Sequence, residues 1–314
     1  MPEMEYIRLG RQGPRVSLIG FGGWQAGGKE WGDDFTDSSV IEAIGRSLEL
    51  GVNLIDTAEI YGDGHSEEVI GRALREYGRE NFVVATKFQG EHLHYDDLLK
   101  ACDASLARLG VDRIDLYQMH WTDPWEQVPL RETMKGLKRL KRDGKVDHVG
   151  VSNFAVRDLK EAQELLGDLE IVSNQVRYNL LQREIEAEVL PYCRKAGISV
   201  IAWSPLAKGV LTGKYNVGNA PKDPVRANGK LFSRPNMEQA QPLLKAIGAV
   251  ASKREKTMSQ VSLNWLLSNG VVAIPGAKNR LQAETNARAA GWRLTAGERK
   301  AITTAAERVH LSYF

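Results

Sequence analysis

A chain of 314 residues with 42% hydrophobic residues, 26% charged residues and a formal net charge of +2 has the composition of an ordinary soluble globular protein, and its length suits one large α/β domain or two smaller ones. Charge this close to balance argues against nucleic acid or an anionic membrane as partner. No apolar run approaches the ~20 residues of a membrane helix, and Met1–Glu5 lacks the basic-then-apolar layout of a secretory signal.

In chain order, Tyr6 to about Ser17 reads as a short hairpin turning at Gly10-Arg11-Gln12-Gly13-Pro14. Strand-like runs follow at Leu18–Gly22, Asn53–Thr57, Phe82–Lys87, Ile114–His120, Val146–Ser152, Ile171–Val176, Ser199–Trp203 and Val271–Ile274. Helical patterns lie between them. Ser39–Leu50 carries Val40, Ile41, Ala43, Ile44 and Leu48 on one stripe. Asp96–Leu109, Glu126–Arg142, Ala155–Leu166, Glu184–Ala196, Ser259–Ser268 and Arg280–Ala289 behave alike, and another helix is expected to begin near Ser66 with Glu67 and Glu68 in its first turn. Gly51, Gly110, Gly144, Gly167, Gly197 and Gly270 each follow such a pattern closely, as helix-ending glycines do. A long insertion runs from Ala207 to about Asn236, with Pro221, Pro224 and Pro235. A last helix, Thr295–Val309, has no strand after it. Cys102 and Cys193 are the two cysteines. Both fall on helices, so buried small side chains and a reducing, cytoplasmic compartment are expected rather than a disulfide framework.

Apolar strands alternating with helices, with no linker across 1–314, predict a single α/β domain: a (β/α)8 TIM barrel with an N-terminal β-hairpin and extra helices. An open dinucleotide-binding sheet would need G-x-G-x-x-G after its first strand. Here Gly20-Phe21-Gly22-Gly23-Trp24-Gln25 puts Gln25 at the third glycine, and no helix pattern starts there.

In such a barrel, residues at the carboxyl ends of strands share one mouth. Those ends offer Asp56, Tyr61, Lys87, His120, Ser152, Asn153, Gln175 and Ser204. Each has a structural explanation taken alone: a turn cap for Asp56, loop packing for Tyr61, a surface cation for Lys87, a satisfied core histidine for His120. The combination is harder to explain away. Lys87 ends the apolar run Val83-Val84-Ala85-Thr86, and an ammonium buried there needs a counter-charge, which Asp56 one strand away supplies. Lys87 would lower the pKa of Tyr61, and Tyr61 would donate a proton to an oxygen gaining charge while His120 orients a carbonyl or relays the proton. His92-Leu93-His94 lacks a third ligand at recognisable spacing, so no metal site is read there.

Asp56-Thr57-Ala58-Glu59-Ile60-Tyr61-Gly62, Ala85-Thr86-Lys87, Asp115-Leu116-Tyr117-Gln118-Met119-His120, Gly150-Val151-Ser152-Asn153-Phe154, Asn174-Gln175-Val176 and Trp203-Ser204-Pro205-Leu206 resemble the aldo-keto reductases. The likeness spans essentially the whole chain, and it is closest to the bacterial aldehyde reductases and polyol dehydrogenases that include the general-stress reductases of bacilli. The resemblance implies a catalytic tetrad of Asp56, Tyr61, Lys87 and His120. It implies an extended NADP(H), its carboxamide on Ser152, Asn153 and Gln175, its nicotinamide ring on Trp203, and Gly23, Trp24 and Asp56 alongside. Ser204, Leu206 and Gly209 would line the pyrophosphate. Gly276, Lys278, Gln282 and Asn286 would meet the adenosine end, with Lys278 on the 2′-phosphate.

The eukaryotic pattern has Lys-Ser where this chain has Gly276-Ala277, and arginine where it has Gln282. Loss of a guanidinium weakens phosphate recognition. Lys278, joined by Arg226 from the insertion, is expected to compensate, so NADP(H) is favoured and NAD(H) is the alternative.

Trp24, Trp31, His65, Trp121 and Phe232 are candidate walls of the mouth. The chain stops soon after the last helix, so a long carboxyl-terminal substrate loop is expected to be absent and the pocket shallow. The implied reaction is reduction of small aldehydes, sugars and methylglyoxal-like carbonyls, reversible toward polyol oxidation, without metal, membrane or nucleic acid. The competing reading is a non-catalytic nucleotide-binding regulatory subunit of the same fold.

Overall fold

The structure, a computed structural model, describes residues 3–312 other than 126 and 228. The hairpin forms as read. Tyr6–Arg8 (β1) and Arg15–Ser17 (β2) pair antiparallel, and the turn closes through Leu9 N–H to Pro14 O and Gly13 N–H to Leu9 O. Its tip docks on the amino ends of later strands. Gly10 N–H donates to Ser199 Oγ, and the Arg11 and Gln12 amides both donate to the Glu170 carboxylate. The hairpin therefore stops the end of the barrel opposite the catalytic mouth.

The barrel strands are Phe21–Gly22 (β3), Leu54–Asp56 (β4), Val83–Phe88 (β5), Ile114–Met119 (β6), Val146–Ser152 (β7), Ile171–Arg177 (β8), Ser199–Trp203 (β9) and Val272–Ala273 (β10). All neighbours are parallel, in sequence order. The ring closes between its first and last members. Ile19 bridges Ala273, with Gly20 N–H on Ala273 O at 2.8 Å and Ala273 N–H on Leu18 O at 2.9 Å. The two closing strands are shorter than predicted, and their backbones meet here at close quarters. A Cβ on Gly20 would stand 2.9 Å from Ile274 Cγ2, and one on Gly22 would stand 2.6 Å from Ile274 O.

Helices Asp37–Glu49 (α1), His65–Leu74 (α2), Tyr95–Leu109 (α3), Leu130–Arg142 (α4), Val156–Leu166 (α5) and Val189–Ala196 (α6) cover the outside. The predicted helix Glu126–Arg142 starts instead at Leu130, after Pro129, whose fixed φ suits a helix start; Glu126 lies outside the described residues. The predicted Glu184–Ala196 divides into a 3-10 turn, Glu184–Glu186, and α6. The insertion contains Pro224–Ala227 (α7). It leads into Arg234–Arg254 (α8), a 21-residue helix that the sequence reading missed. Met258–Ser268 (α9), Arg280–Ala287 (α10) and Ala296–Glu307 (α11) complete the chain. No helix among the described residues is long and apolar enough to cross a membrane. Cys102 and Cys193 are free and buried.

Candidate active site

The mouth is built by strand ends. Asp56 is the last residue of β4, Lys87 the fifth residue of β5, and His120 the first after β6. Tyr61 stands in the turn after β4, held by its N–H on Ala58 O. The next residue, Gly62, has φ +63°, and a Cβ there would lie 2.1 Å from Gly27 O. The turn can therefore seat Tyr61 only with a bare, left-handed residue behind it.

Lys87 is fully buried. Its ammonium donates to Asp56 Oδ1 at 2.7 Å and to Thr57 O at 2.8 Å, and it lies 5.2 Å from the centre of the Tyr61 ring. Burial pulls the ammonium's pKa down, but the attraction of Asp56 outweighs it and holds the pKa above the ordinary value. Tyr61 goes the other way from expectation. Burial raises the phenol's pKa and outweighs Lys87, whose pull is also offset by Asp56, so Tyr61 is a firm phenol rather than a softened one. His120 packs edge-on against Tyr61 at 5.8 Å. Burial, then the Lys87 charge, pushes its pKa down to about 3, which leaves a neutral imidazole whose buried Nδ1 has no hydrogen-bond partner among the described residues.

An amide web supports the pair. Asp56 Oδ2 accepts from Gln175 Nε2 at 2.7 Å and from Gln118 Nε2 at 3.4 Å. The sequence reading missed Gln118 as a site residue. Its signal was available: it sits two positions before His120, hence on the side of the chain that His120 continues past the end of β6. Asn153, at φ +60°, receives Trp203 Nε1–H at 3.0 Å and donates to His120 O and Ser152 Oγ. Ser152 itself does not reach the cleft. It is buried, and its hydroxyl donates to Gln175 O at 2.7 Å. It stands behind Asn153, whose Nδ2 donates to its hydroxyl.

These groups open on a cleft of about 1030 Å³ that runs from Asp56, Tyr61 and His120 past Trp203 and Gly276 to Lys278, Gln282 and Asn286. Gly23, Trp24, Asn153, Gln175, Ser204, Leu206, Gly209 and Arg226 also line it. Of the candidate walls, Trp24, Trp31 and Trp121 face it. His65 instead meets Asp37, and buried Phe232 packs edge-on against Tyr215. His92 and His94 meet Glu59 and Glu132. Among the described residues no group of three or more His, Cys, Asp or Glu is arranged to hold a metal ion.

A dinucleotide fits this donor set. Gly22 and Gly23 make a bare floor, where added Cβ atoms would lie 2.6 and 2.7 Å from backbone oxygens. After β9 the chain adopts positive φ at Ser204, Ala207, Lys208 and Gly209. Such conformations are costly away from glycine and are kept where the surrounding structure requires them. At the far end, Lys278 and Arg226 supply positive charge. Asn279 caps α10 by accepting from Gln282 N–H, Gln282 Oε1 accepts from Lys278 N–H, and Asn286 donates to Gly276 O.

The Aldo/keto reductase family profile matches residues 18–307. An uncharacterised oxidoreductase of Mycobacterium tuberculosis is 39% identical over 306 residues, covering 96% of this chain and 93% of that protein. The NADH-specific methylglyoxal reductase of Escherichia coli is 33% identical over 305 residues, covering 90% and 92%. Among solved structures, the glycerol dehydrogenase of Gluconobacter oxydans superposes with a TM-score of 0.86 at 34% identity, covering 98% and 97%. An aldo/keto reductase of Klebsiella pneumoniae in complex with NADP and acetate superposes with a TM-score of 0.76 at 30% identity, covering 96% and 95%. With a closed eight-stranded barrel and a cleft at its carboxyl-end mouth, the chain belongs to the aldo/keto reductase family and is an oxidoreductase.

Proposed function

We propose that this protein reduces small aldehydes and ketones to alcohols with a nicotinamide dinucleotide, reversibly toward polyol oxidation, and that Tyr61 is the proton donor. The observation that carries this reading is the buried Lys87–Asp56 pair beside a protonated Tyr61 and a neutral His120, all at one end of the cleft. The bound cofactor supplies the hydride. The chain does the rest. Asn153 and Gln175 orient the carboxamide, with Gln175 Oε1 as acceptor while its Nε2 stays on Asp56. Trp203 backs the ring. Neutral His120 holds the carbonyl oxygen through a ring N–H. As that oxygen gains the electron pair of the breaking C=O bond, Tyr61 gives it the phenolic proton, and the phenolate left behind is stabilised by the Lys87 ammonium.

The substrate enters past exposed Trp121 and Ile60, an apolar rim suited to small carbonyls such as methylglyoxal. NADP(H) is favoured by Lys278 and Arg226 at the far end. NAD(H) is the alternative, in keeping with the name of the Escherichia coli relative. Two buried free cysteines suit a reducing cytoplasm.

The test is oxidation of NADPH and of NADH with methylglyoxal and a nitrobenzaldehyde, in wild type and Tyr61→Phe. Turnover in the variant is expected to fall by about 100-fold or more, with cofactor affinity retained. Near-normal turnover would assign the proton to another group. Tight dinucleotide binding with no turnover across an aldehyde panel would favour the regulatory-subunit reading.

A further inference from the structure

The far end of the cleft carries two cations, each already neutralised from within the chain. Arg226 makes two contacts with Asp223, at 2.7 and 2.6 Å. Asp223 is buried, and Arg226 is further fixed between the rings of Trp31 and Tyr215, at 5.5 and 5.1 Å. That pair is built in. Lys278 differs. Its side chain is nearly buried, yet its carboxylate partner, Asp34 at 2.7 Å, has a side chain 67% exposed and lining the cleft. Asp34 comes from the loop between β3 and α1. The same loop supplies the Trp31 carbonyl, which accepts from Lys278 Nζ, and the Phe35 ring, 4.7 Å from that ammonium. The hydrogen bond from Lys278 holds the Asp34 carboxyl below the usual carboxylate range, so it is anionic at neutral pH.

A carboxylate in this place treats two dinucleotides differently. A phosphate monoester on the ribose brings about −1.5 to −2 charges. It must either displace Asp34 from Lys278 or lie beside it at a like-charge cost. An unmodified 2′-hydroxyl is neutral and can donate to the carboxylate, as the acidic residue of open dinucleotide-binding sheets does. We propose that Asp34 sets the choice of cofactor: by occupying Lys278 it holds down affinity for the 2′-phosphorylated dinucleotide and leaves affinity for the unphosphorylated one intact. This rests on the dinucleotide reading of the cleft.

The experiment measures dissociation constants by quenching of tryptophan fluorescence, since Trp24, Trp31 and Trp203 line the cleft. NADPH and NADH are titrated at one ionic strength into wild type, Asp34→Asn, Asp34→Ala, Lys278→Met and the Asp34→Asn/Lys278→Met double variant. Both Asp34 variants are expected to tighten NADPH by about tenfold and to leave NADH unchanged or weaker. Lys278→Met is expected to weaken NADPH alone, and the gain from Asp34→Asn is expected to vanish in the double variant. If Asp34→Asn and Asp34→Ala weaken both dinucleotides alike, Asp34 only braces the loop and the proposal fails. An unmoved NADPH-to-NADH ratio overturns it equally. Failure of wild type to bind either dinucleotide would instead bring down the reading of the cleft beneath it.

Discussion

At the scale of single residues, the site depends on which charges burial permits. Lys87 keeps its proton because Asp56 is 2.7 Å away, Tyr61 keeps its proton because it lies deep beside Asp56, and His120 loses its own to burial and to Lys87. The signs give a pH signature. In the proposed mechanism reduction needs the phenol, whose pKa burial raises above its ordinary value, so reduction is expected to stay level through neutral pH and fall only in strong alkali. Oxidation needs the phenolate and is expected to rise steadily with pH. With the His120 pKa near 3, no histidine inflection between pH 7 and 5 is expected in either direction. Full pH–rate profiles check all three; a reductive profile that halves near pH 6.5 would contradict the neutral imidazole. Gln118 is the residue most easily overlooked. Gln118→Leu leaves Asp56 Oδ2 with Gln175 alone, and kcat is expected to drop by about threefold to tenfold with the cofactor KM unmoved. A loss confined to KM would place Gln118 with cofactor binding instead.

At the scale of elements, the turn carrying Tyr61 is held from behind by the loop after β3. Gly62→Ala would put a Cβ at a positive φ and 2.1 Å from the Gly27 carbonyl. Backbone must move to admit it, so a loss of about 2–3 kcal/mol in stability is expected together with a fall in kcat as Tyr61 shifts. Denaturant unfolding and steady-state kinetics on the same preparation check this, and wild-type values in both would show the turn to be more yielding than drawn. The next helix, α2, is anchored by a residue that the sequence alone presents as ordinary. Glu67 reads as an acid in a helix's first turn, where it favours the dipole. In the fold it is fully buried, accepting from Thr86 Oγ1 and from Arg108, and it ties β5 and α3 to the helix behind the tetrad. Helix α8 was missed for a related reason. Pro235 reads as part of the insertion, yet it falls in the helix's first turn where no N–H is needed, and although Pro242 lies inside the helix, Met237, Ala240, Leu243, Leu244, Ile247 and Val250 still make a buried stripe.

At the scale of the whole molecule, one carboxylate ties the last helix to the end of α8. Glu298, in α11, accepts two hydrogen bonds from Arg254 at the end of α8, both at 2.8 Å, and also caps Thr295. The Arg254 hydrogen bond chiefly holds its pKa down at about 2 against an ordinary 4.5. A depressed carboxylate contributes stability that is present above its unfolded value and lost as pH falls toward its folded one. Wild type is therefore expected to lose melting temperature between pH 4.5 and 2 more steeply than Glu298→Gln, and parallel curves would show that the pair contributes nothing. The same scale assembles the far end of the cleft. The loop after β3 reaches across the mouth to Lys278, so residues nearly 250 positions apart, Trp31 and Lys278, meet at the far end of the cleft.

The sequence by itself determined the strand–helix alternation, the barrel, the hairpin, and the four polar side chains at strand ends. These follow from local apolar periodicity and from short motifs, both written within a few residues. Tertiary structure alone decided the direction in which Tyr61 titrates, the withdrawal of Ser152 behind Asn153, the burial of Glu67, and the pairing of Asp34 with Lys278. Each of these is a balance between desolvation and a partner brought from a distant part of the chain. No local pattern encodes that balance, because it exists only once the strands stand side by side.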